Sequence, residues 1–573
     1  MSDYDLIIRN GTVVDGSGAA SMIADIAVAD GRIALVAPSI AATGREEIDA
    51  SGQLVTPGFV DVHTHYDGQA SWDSRLAPSS RLGATTVVLG NCGVGFAPCR
   101  PQDHNVLIEL MEGVEDIPGT ALAEGLPWNW ESFEDYLDAL EARHRDIDIA
   151  CLFPHSPLRV YVMGERAIKR EAATADDIGK MKALLSDGLA AGAVGFSTSR
   201  TVIHRTLAGS QIPTYQAAAQ ELEQLGSTLD KNAGQVFQMV SDFSDADHEF
   251  DIVRQVCSNT GAKGTFTMLQ SDKQPTMWQE QLGRIEKAQA EGLDIRAQVL
   301  SRPLGVLMGL NASLTPFSAR PTFHELEKLS LEERVVQLAR PEVKARILAE
   351  QDVNPHVFLE GMGQRFEDMY PLEPPIEYMP EKDKSVAARA AIAGVSAPEW
   401  LYDWLLTDGG HALIYIPAIN FSEVIPTILQ HPFTVPALGD GGAHVGSICD
   451  ASASLYLLTK WVRERNAFSL EAGIHMLTRK SAELYSMFDR GLLAPGMKAD
   501  INIIDFDRLA IHSPRIVHDL PAGGKRFLQD ADGLVATIVA GEVIYRNGEA
   551  TEALPGRLVR GGQRDPRSAA ALN

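Results

Sequence analysis

The sequence predicts an α/β fold: a parallel barrel joined to a small β-sandwich domain that both ends of the chain form together. Two observations predict it. From about residue 57 to 490, short apolar runs alternate with helical patterns, and repeated β–α units over this length are typical of a parallel barrel. At both chain ends, alternating β-branched residues are separated by glycine-containing turns, as in a compact β domain.

The composition excludes several classes of partner. The 573 residues are 45% hydrophobic and carry a formal net charge of −26 at pH 7, with a pI near 5. So acidic a surface repels nucleic acid and anionic lipid, and neither is expected as a partner. Five cysteines at irregular spacing argue against a disulfide framework. "MSDYDLIIRNG" has no basic segment followed by an apolar stretch, so we expect no signal peptide, and no apolar run of about 18 residues occurs. We therefore expect a cytoplasmic protein without membrane spans. The sequence is compatible with either a monomer or a homo-oligomer.

The β domain is expected in two parts, residues 1–56 and 491–573. In "YDLIIRNGTVVDG", Asn10-Gly11 separates two β-rich runs, a pattern that predicts a hairpin. Asp30-Gly31 in "ADIAVADGRIALVA" predicts a second hairpin in the same way. "DINIIDFDRL" and "LVATIVAGEVIYRNG" supply further strands from the C-terminal end.

Residues 57–490 predict the barrel, with an insertion. Strand candidates that end in polar residues include "GATTVVLGNCG", "AVGFSTS", "GQVFQMVSD", "GTFTMLQSD" and "TVPALGDGGAH". In "TADDIGKMKALLSDGLAAG", Thr174 is the expected N-cap of a helix that stops at a glycine. The segment from about 303 to 430 is too long for a simple loop, so we interpret it as an insertion over the barrel mouth. Chemistry in such barrels takes place at the carboxyl ends of the strands, where these polar residues fall.

The stretch "TPGFVDVHTHYDG", residues 56–68, carries the clearest chemical signal. Side chains alternate across a strand, so His63 and His65 project to the same side, ~6–7 Å apart along the chain. Bent inward, two imidazoles at this spacing can share one metal ion. A structural hydrogen-bond cluster is the alternative. The acids Asp61 and Asp67 lie on the same face and favour the metal.

Several motifs together resemble the amidohydrolase superfamily. "TPGFVDVHTH" follows an N-terminal β segment, and "DRGLLAPGMKADINIIDFD" lies near the end of the chain. "GNCGVGFAPC", "HSPLRVYVMGERA" and "GAVGFSTS" are similar to the D-aminoacylase, or N-acyl-D-amino-acid deacylase, branch. The resemblance covers nearly the whole chain. It implies a metal-dependent hydrolase with a (β/α)8 barrel and a small β domain made from both chain ends.

The resemblance also implies the metal ligands. The paired histidines of the family match His63 and His65, and the cysteine that replaces a carboxylated lysine elsewhere in the superfamily matches Cys92. The catalytic aspartate at the end of the eighth strand matches Asp440 in "ALGDGGAH". Judged on residue chemistry alone, Cys92 could be a small buried apolar residue, and Asp440 a turn residue before two glycines.

Two positions depart from the family pattern. Histidines are expected at the ends of the fifth and sixth strands, but those ends carry Gln238 in "VFQMVSD" and Gln270 in "FTMLQSD". An amide oxygen is a poor zinc ligand, so we expect one zinc ion and not two, bound by His63, His65 and Asp440, with Cys92 as a candidate fourth ligand. The two glutamines are then expected to hydrogen-bond the substrate, or else to satisfy polar neighbours.

Three further residues are candidates for binding the substrate. His155 in "FPHSPLR" lies at an expected strand end, although a structural role fits it equally well. Arg302 follows the seventh strand, where a guanidinium group could receive a substrate carboxylate. An arginine on a solvated loop is the alternative. His444 lies four residues beyond Asp440, where it could tune that carboxylate or contact the substrate.

These residues predict a hydrolase of carbon–nitrogen amide bonds. The resemblance implies a small-molecule N-acyl substrate, such as an N-acyl amino acid of D configuration. A cyclic amide or carbamate hydrolase is an alternative that uses the same apparatus. A metal-poor, non-catalytic scaffold is the alternative of another class: the two missing histidines favour it, and the retention of His63, His65 and Asp440 opposes it.

Overall fold

The computed structural model describes residues 3–271, 273–353 and 363–570. Its central feature is a series of eight parallel strands, each hydrogen-bonded to the next in chain order. The third strand is interrupted at Leu152 and belongs to both a three-stranded and a six-stranded sheet. The eight strands are, in order, Phe59–Asp61, Ala84–Leu89, Asp148–Cys151 with Phe153–Pro154, Gly195–Arg200, Val236–Ser241, Lys263–Thr267, Ile295–Val299 and Thr434–Pro436.

The chain segments that follow the first and eighth strands lie side by side. The backbone N–H of Asp440 donates to the carbonyl of His63 at 3.2 Å, and that of His65 donates to the carbonyl of Gly441 at 2.8 Å. The segment after the first strand is also joined to the end of the second strand, from Thr64 N–H to Val88 O at 3.1 Å. The polar residues that follow these three strands therefore meet at one edge.

Amphipathic helices connect the strands. The helix Ala175–Ala191 illustrates why they form where they do: Thr174 accepts from the backbone N–H of Asp177, whose carboxylate accepts from the N–H of Thr174. This capping box satisfies two donors at the helix start, and the helix ends before Gly192, so the predicted helix is confirmed. The helices of this part of the chain are Gln69–Trp72, His104–Glu115, Gly119–Gly125, Phe133–Glu141, His155–Met163, Glu165–Ile168, Ala175–Ala191, Ala219–Gly226, Ala246–Thr260, Met277–Ala290, Ile425–Gln430, Ala453–Tyr456, Leu457–Glu464, Leu470–His475, Met476–Lys480 and Ser481–Leu484.

A separate group of elements lies between the seventh and eighth strands. It contains an antiparallel sheet of Leu304–Gly309, Leu413–Ile419 and Tyr370–Pro371. Its buried apolar side chains, among them Met308 and Ile414, form a cluster of their own, so this region packs as a distinct unit. Its helices are Pro321–Leu326, Leu331–Leu338, Pro341–Ala349, Val386–Ala393 and Ala397–Leu405.

Both chain ends contribute to one nine-stranded sheet. The strand Leu54–Pro57 pairs on one side with Tyr4–Val13 and on the other with Ile501–Ile504. The sheet order is Glu549–Ala550, Glu542–Arg546, Leu534–Val539, Ile501–Ile504, Leu54–Pro57, Tyr4–Val13, Met22–Ala29 and Arg32–Ala37, with Gly44–Asp49 pairing on Tyr4–Val13. Two small hairpins, Ala510–Ile511 with Ala531–Asp532 and Arg515–Leu520 with Gly524–Leu528, and a helix, Pro566–Ala570, complete this end of the chain.

One of the two predicted hairpins is wrong. Asp30-Gly31 does turn the chain between the antiparallel strands Met22–Ala29 and Arg32–Ala37. Asn10-Gly11 instead lies inside the continuous strand Tyr4–Val13, where the register shifts against its neighbour. Asn10 takes a φ of 59° there, a left-handed conformation that Asn tolerates. Both halves of the strand pair with the same neighbour, so the dipeptide forms a bulge and not a turn.

Two further features concern the environment of the chain. All five cysteines are free and buried, as expected for a chain without a disulfide framework. Among the described residues, no helix combines the length and the apolar character that crossing a bilayer requires.

Candidate functional site

The first parallel strand delivers two histidines to the carboxyl edge. Phe59–Asp61 pairs with the second strand, and the chain then turns because the Asp61 carboxylate accepts from the backbone N–H of His63 at 3.1 Å. His63 and His65 are 1% and 3% exposed. Their ring centroids are 5.4 Å apart at an interplanar angle of 60°. The two imidazoles therefore face a common buried space, as their spacing predicts.

The contacts of His63 define that space. Its Nδ1 donates to Oε1 of Gln298 at 2.6 Å, which leaves Nε2 as the ring nitrogen with a free lone pair. Nε2 lies 3.2 Å from the sulfur of Cys92 and 3.8 Å from Oδ1 of Asp440. His63 thus turns one nitrogen to the protein and the other to a thiol and a carboxylate.

Cys92 is held in an unusual backbone conformation. It follows the second strand, Ala84–Leu89, with a φ of 57°, and its backbone N–H donates to Oε1 of Gln238 at 3.1 Å. Left-handed backbone at a residue other than glycine is costly and clusters at functional sites. In the described part of the chain, His63, His65 and Cys92 are the group whose ligand atoms all lie within 4.8 Å of one another, as metal binding requires.

Asp440 enters from the eighth strand through a turn of left-handed residues. Leu438, Asp440 and His444 have φ values of 63°, 46° and 48°. A Cβ atom at Gly441 would lie 2.4 Å from the hydroxyl oxygen of Tyr66, so any residue other than glycine would collide with Tyr66 at this position. Oδ1 of Asp440 is buried and has no hydrogen-bond partner. The turn therefore aims a carboxylate oxygen at the histidines.

The protonation states follow from burial. Burial lowers the pKa of His63 to about 4 and that of His65 well below its ordinary value, so both rings are neutral at pH 7. Burial, with neighbouring carboxylates, raises the pKa of the Cys92 thiol and that of Asp440 well above their ordinary values. Neutral imidazoles are the form that binds metals, and a dication would favour the ionised thiol and carboxylate. The donor set and its unpartnered buried atoms thus fit a divalent ion such as zinc.

The two glutamines differ in position. Gln238 is fully buried, binds the backbone of Cys92 through Oε1, and leaves Nε2 without a hydrogen-bond partner. Gln270 is bound elsewhere: its backbone N–H donates to Oδ1 of Asn420 at 2.8 Å, and its Nε2 donates to the carbonyl of Ser271 at 3.5 Å. Only Gln238 is brought into direct contact with a predicted ligand.

His155 is engaged by other parts of the protein. It begins the helix His155–Met163 and lies 2.9 Å from both Thr198 Oγ1 and Glu221 Oε1. Glu221 also pairs with the guanidinium group of Arg159. Both ring nitrogens of His155 are thus satisfied within the fold.

Arg302 is engaged in the same way. Its guanidinium group lies 2.6 Å from Asp450, 2.8 Å from Ser452 Oγ and 3.1 Å from the carbonyl of Cys449, and it stacks 3.6 Å above the ring of Tyr378. The side chain is 1% exposed. Its charge is compensated within the fold and does not face the histidines.

Two residues at the site escaped the sequence analysis. Gln298, in the seventh strand Ile295–Val299, is a polar residue between the apolar residues of "AQVL", and a polar side chain at such a position is a usable signal. Glu115 ends the helix His104–Glu115 and lies 3.3 Å from Nδ1 of His65 and 3.8 Å from Nε2 of His444. No local pattern marks Glu115, because its partners are about 50 and 330 residues away in sequence.

Sequence comparison assigns the chain that carries this site to a family. The profile of the amidohydrolase family matches residues 46–545. The chain belongs to the amidohydrolase family. The resemblance identified from the motifs is therefore confirmed.

This amidohydrolase is similar to deacylases of N-acyl-D-amino acids. It is 36% identical over 195 residues to D-aminoacylase from Alcaligenes xylosoxydans xylosoxydans, a match that spans 34% of this chain and only 37% of that protein. It is 27% identical over 570 residues to N-acyl-D-glutamate deacylase from the same organism, which covers 97% of this chain and 96% of the relative.

Solved structures share the fold. A crystal structure of D-aminoacylase matches with a TM-score of 0.65 at 22% identity, over 98% of this chain and 100% of that one. The structure of N-acyl-D-glutamate deacylase from Bordetella bronchiseptica, in complex with zinc and a phosphonate mimic of the tetrahedral intermediate, matches with a TM-score of 0.64 at 23% identity, over 97% and 99% of the two chains. The mixed α/β architecture of this amidohydrolase is thus that of the D-aminoacylases.

Proposed function

We propose that this amidohydrolase is a metal-dependent hydrolase that cleaves the carbon–nitrogen amide bond of an N-acyl amino acid of D configuration, or of a related N-acyl compound. One observation carries the proposal: His63, His65 and Cys92 form a buried group of ligand size, and Asp440 lies 3.8 Å from His63. Similarity to N-acyl-D-glutamate deacylase over nearly the whole chain supports the amide substrate.

The eight parallel strands are proposed to close into a (β/α)8 barrel. The backbone hydrogen bonds between the segments after the first and eighth strands support closure at that point. One zinc ion is proposed at the carboxyl edge, bound by His63, His65 and Asp440 with Cys92. The zinc in the related N-acyl-D-glutamate deacylase supports the choice of metal.

Asp440 and Gln238 have different roles in the proposed reaction. A bound dication supplies Lewis acidity, which acidifies water and polarises a carbonyl group. Asp440 is placed to accept a proton from the attacking water and to return it to the departing nitrogen, because its Oδ1 faces the ligand group without a partner. The unpartnered Nε2 of Gln238 is available to donate to a substrate oxygen.

The other candidates for substrate contact differ in how far other residues of the protein already bind their side chains. His444 keeps 26% of its side chain exposed at the edge of the site, so we assign it to substrate contact. Gln270 is a weaker candidate, because its contacts run to Asn420 and Ser271. His155 and Arg302 are assigned to the support of the strand ends, because buried carboxylates already pair with them. The five free thiols support a reducing compartment, the cytoplasm.

A substrate panel tests the proposal. We expect purified protein to contain about one zinc per chain and to release the amine from N-acyl-D-amino acids faster than from the L enantiomers, as measured by amine detection. Turnover of cyclic amides alone would identify the alternative hydrolase. Zinc below about a tenth of an equivalent, unchanged after zinc is added, would instead identify a non-catalytic scaffold.

A further inference from the structure

A buried carboxylate that the mechanism above does not use lies against the histidines. Glu115 ends the helix His104–Glu115 and is 1% exposed. Oε1 lies 3.3 Å from Nδ1 of His65, and Oε2 lies 3.8 Å from Nε2 of His444. Among the described residues, these two imidazoles are the ion-pair partners of Glu115. Each oxygen of one carboxylate thus faces a different imidazole.

Glu115 is in an unfavourable environment for stability. Its side chain is almost completely buried. Oε2 is also buried without a hydrogen-bond partner. An acid in such a place costs free energy of folding, and an apolar or amide side chain of similar size would cost less. Stability of the fold therefore does not explain the residue.

The orientation of the two histidines offers an explanation. Nδ1 of His63 is held by Gln298 at 2.6 Å, which leaves Nε2 facing Cys92 and Asp440. Nδ1 of His65 is buried and has no hydrogen-bond partner, and Glu115 supplies an acceptor 3.3 Å away. Metal-binding histidines generally donate their second N–H to such an outer acceptor, which fixes the tautomer and the ring orientation.

We propose that Glu115 is a positioning residue that accepts a hydrogen bond from Nδ1–H of His65, so that Nε2 of His65 faces the ligand group of His63 and Cys92, and that it holds His444 with its other oxygen. The inference rests on the proposed metal site. Gln298 and Glu115 then perform the same task for the two histidines, one as a neutral amide and the other as a carboxylate.

Zinc affinity of the full-length protein tests this role without any substrate. Metal-free wild type and the variants Glu115→Leu, Glu115→Gln and Glu109→Gln are titrated with zinc against a chromophoric chelator. We expect Glu115→Leu, which has no acceptor, to bind zinc about 10- to 100-fold more weakly. Glu115→Gln keeps an acceptor oxygen, as Gln298 does for His63, and should recover most of the loss. Glu109→Gln, an exposed position on the same helix, serves as the matched control and should bind like wild type.

Thermal unfolding of the metal-free proteins separates positioning from a structural role. Because Oε2 of Glu115 is buried without a hydrogen-bond partner, Glu115→Leu should leave the unfolding midpoint unchanged or raise it. A lower midpoint together with zinc affinity within twofold of wild type would overturn the proposal in favour of a structural role. Cobalt substitution adds a spectroscopic check, since a reoriented His65 should shift the visible absorption bands in Glu115→Leu but not in Glu109→Gln.

The outcome is separable from that of the substrate panel. If wild type binds zinc but hydrolyses no N-acyl amino acid, the proposed function fails while the affinity ratio still measures the role of Glu115. If zinc affinity does not depend on residue 115, the positioning role fails while deacylation stands. Wild type that takes up no zinc would overturn both.

Discussion

Polar residues at the carboxyl ends of the parallel strands differ between two sides of the molecule. On the side of the first, second and eighth strands, Oδ2 of Asp67, Oδ1 of Asn91 and Oδ1 of Asp440 are buried without hydrogen-bond partners. On the side of the third and seventh strands, His155 and Arg302 are just as buried, yet each pairs with a carboxylate, at 2.9 and 2.6 Å.

The difference separates two uses of buried polar groups. Leaving one such group unsatisfied costs about 1–3 kcal/mol, so a cluster of them persists where a ligand or ion completes it. A charged group that is already paired stabilises the fold locally, and losing one partner is what harms it. Burial alone does not distinguish the sides, whereas the distance to the partner carboxylate does: it is 3.8 Å for His63 and 3.3 Å for His65, against 2.9 Å for His155 and 2.6 Å for Arg302.

The largest expected effect is on turnover. Asp440→Asn removes the proton acceptor while keeping the shape of the side chain, so kcat should fall by about 10²- to 10⁴-fold. Amine release from the best substrate of the panel measures it, and circular dichroism verifies the fold. Asp383→Asn, exposed in the region between the seventh and eighth strands, is the control. Wild-type kcat in Asp440→Asn would remove this carboxylate from the proton transfers.

A pair of histidine variants compares the two sides directly. His63→Ala removes a proposed ligand and should weaken zinc binding by more than the roughly 10- to 100-fold expected for loss of an outer hydrogen-bond partner. His155→Ala removes an equally buried imidazole and should leave zinc affinity unchanged. Chelator competition measures both constants. The comparison fails if the two variants lose zinc to the same extent.

Arg302 provides a test by stability. Arg302→Met leaves Asp450 buried without its cation, so the free energy of unfolding should fall by about 3–5 kcal/mol. Chemical denaturation measures the loss, and the double variant Arg302→Met with Asp450→Leu should recover much of it. A stable Arg302→Met protein with a KM raised tenfold or more would instead place Arg302 at the substrate carboxylate.

The smallest expected effect is a pH dependence on the paired side. Although burial opposes the shift, the hydrogen bond and charge of His155 and the charge of Arg159 lower the pKa of Glu221 from 4.5 to about 2. A depressed pKa contributes stability that is present above the unfolded value and is lost as pH falls through the folded value. The advantage of wild type over Glu221→Gln should therefore shrink between about pH 4.5 and pH 2, as followed by denaturant unfolding. An advantage that does not change with pH would contradict the pairing.

Much of the architecture follows from local patterns. Motifs such as "TPGFVDVHTH" identify the amidohydrolase family, and the capping pattern at Thr174 predicts its helix correctly. The hairpin predicted at Asn10-Gly11 shows the limit of that reasoning. Pairing of both halves of the strand with one neighbour overrides the turn preference of the dipeptide.

The residues of the candidate site, too, could be predicted from local patterns only in part. The amino-acid order alone predicts that His63 and His65 lie together, because residues two apart along an extended chain project to one side, and the structure places both just beyond the strand Phe59–Asp61. Gln298 and Glu115 contact these histidines only because distant segments of the chain meet in the fold. Arg302 cannot bind a substrate carboxylate because Asp450 already pairs with it in the folded chain. Local spacing therefore specifies which side chains can act together, whereas long-range packing specifies which polar groups find partners and which stay free for chemistry. The physical reason is that hydrogen-bond partners of a buried group are supplied by the whole fold, and no local pattern contains them.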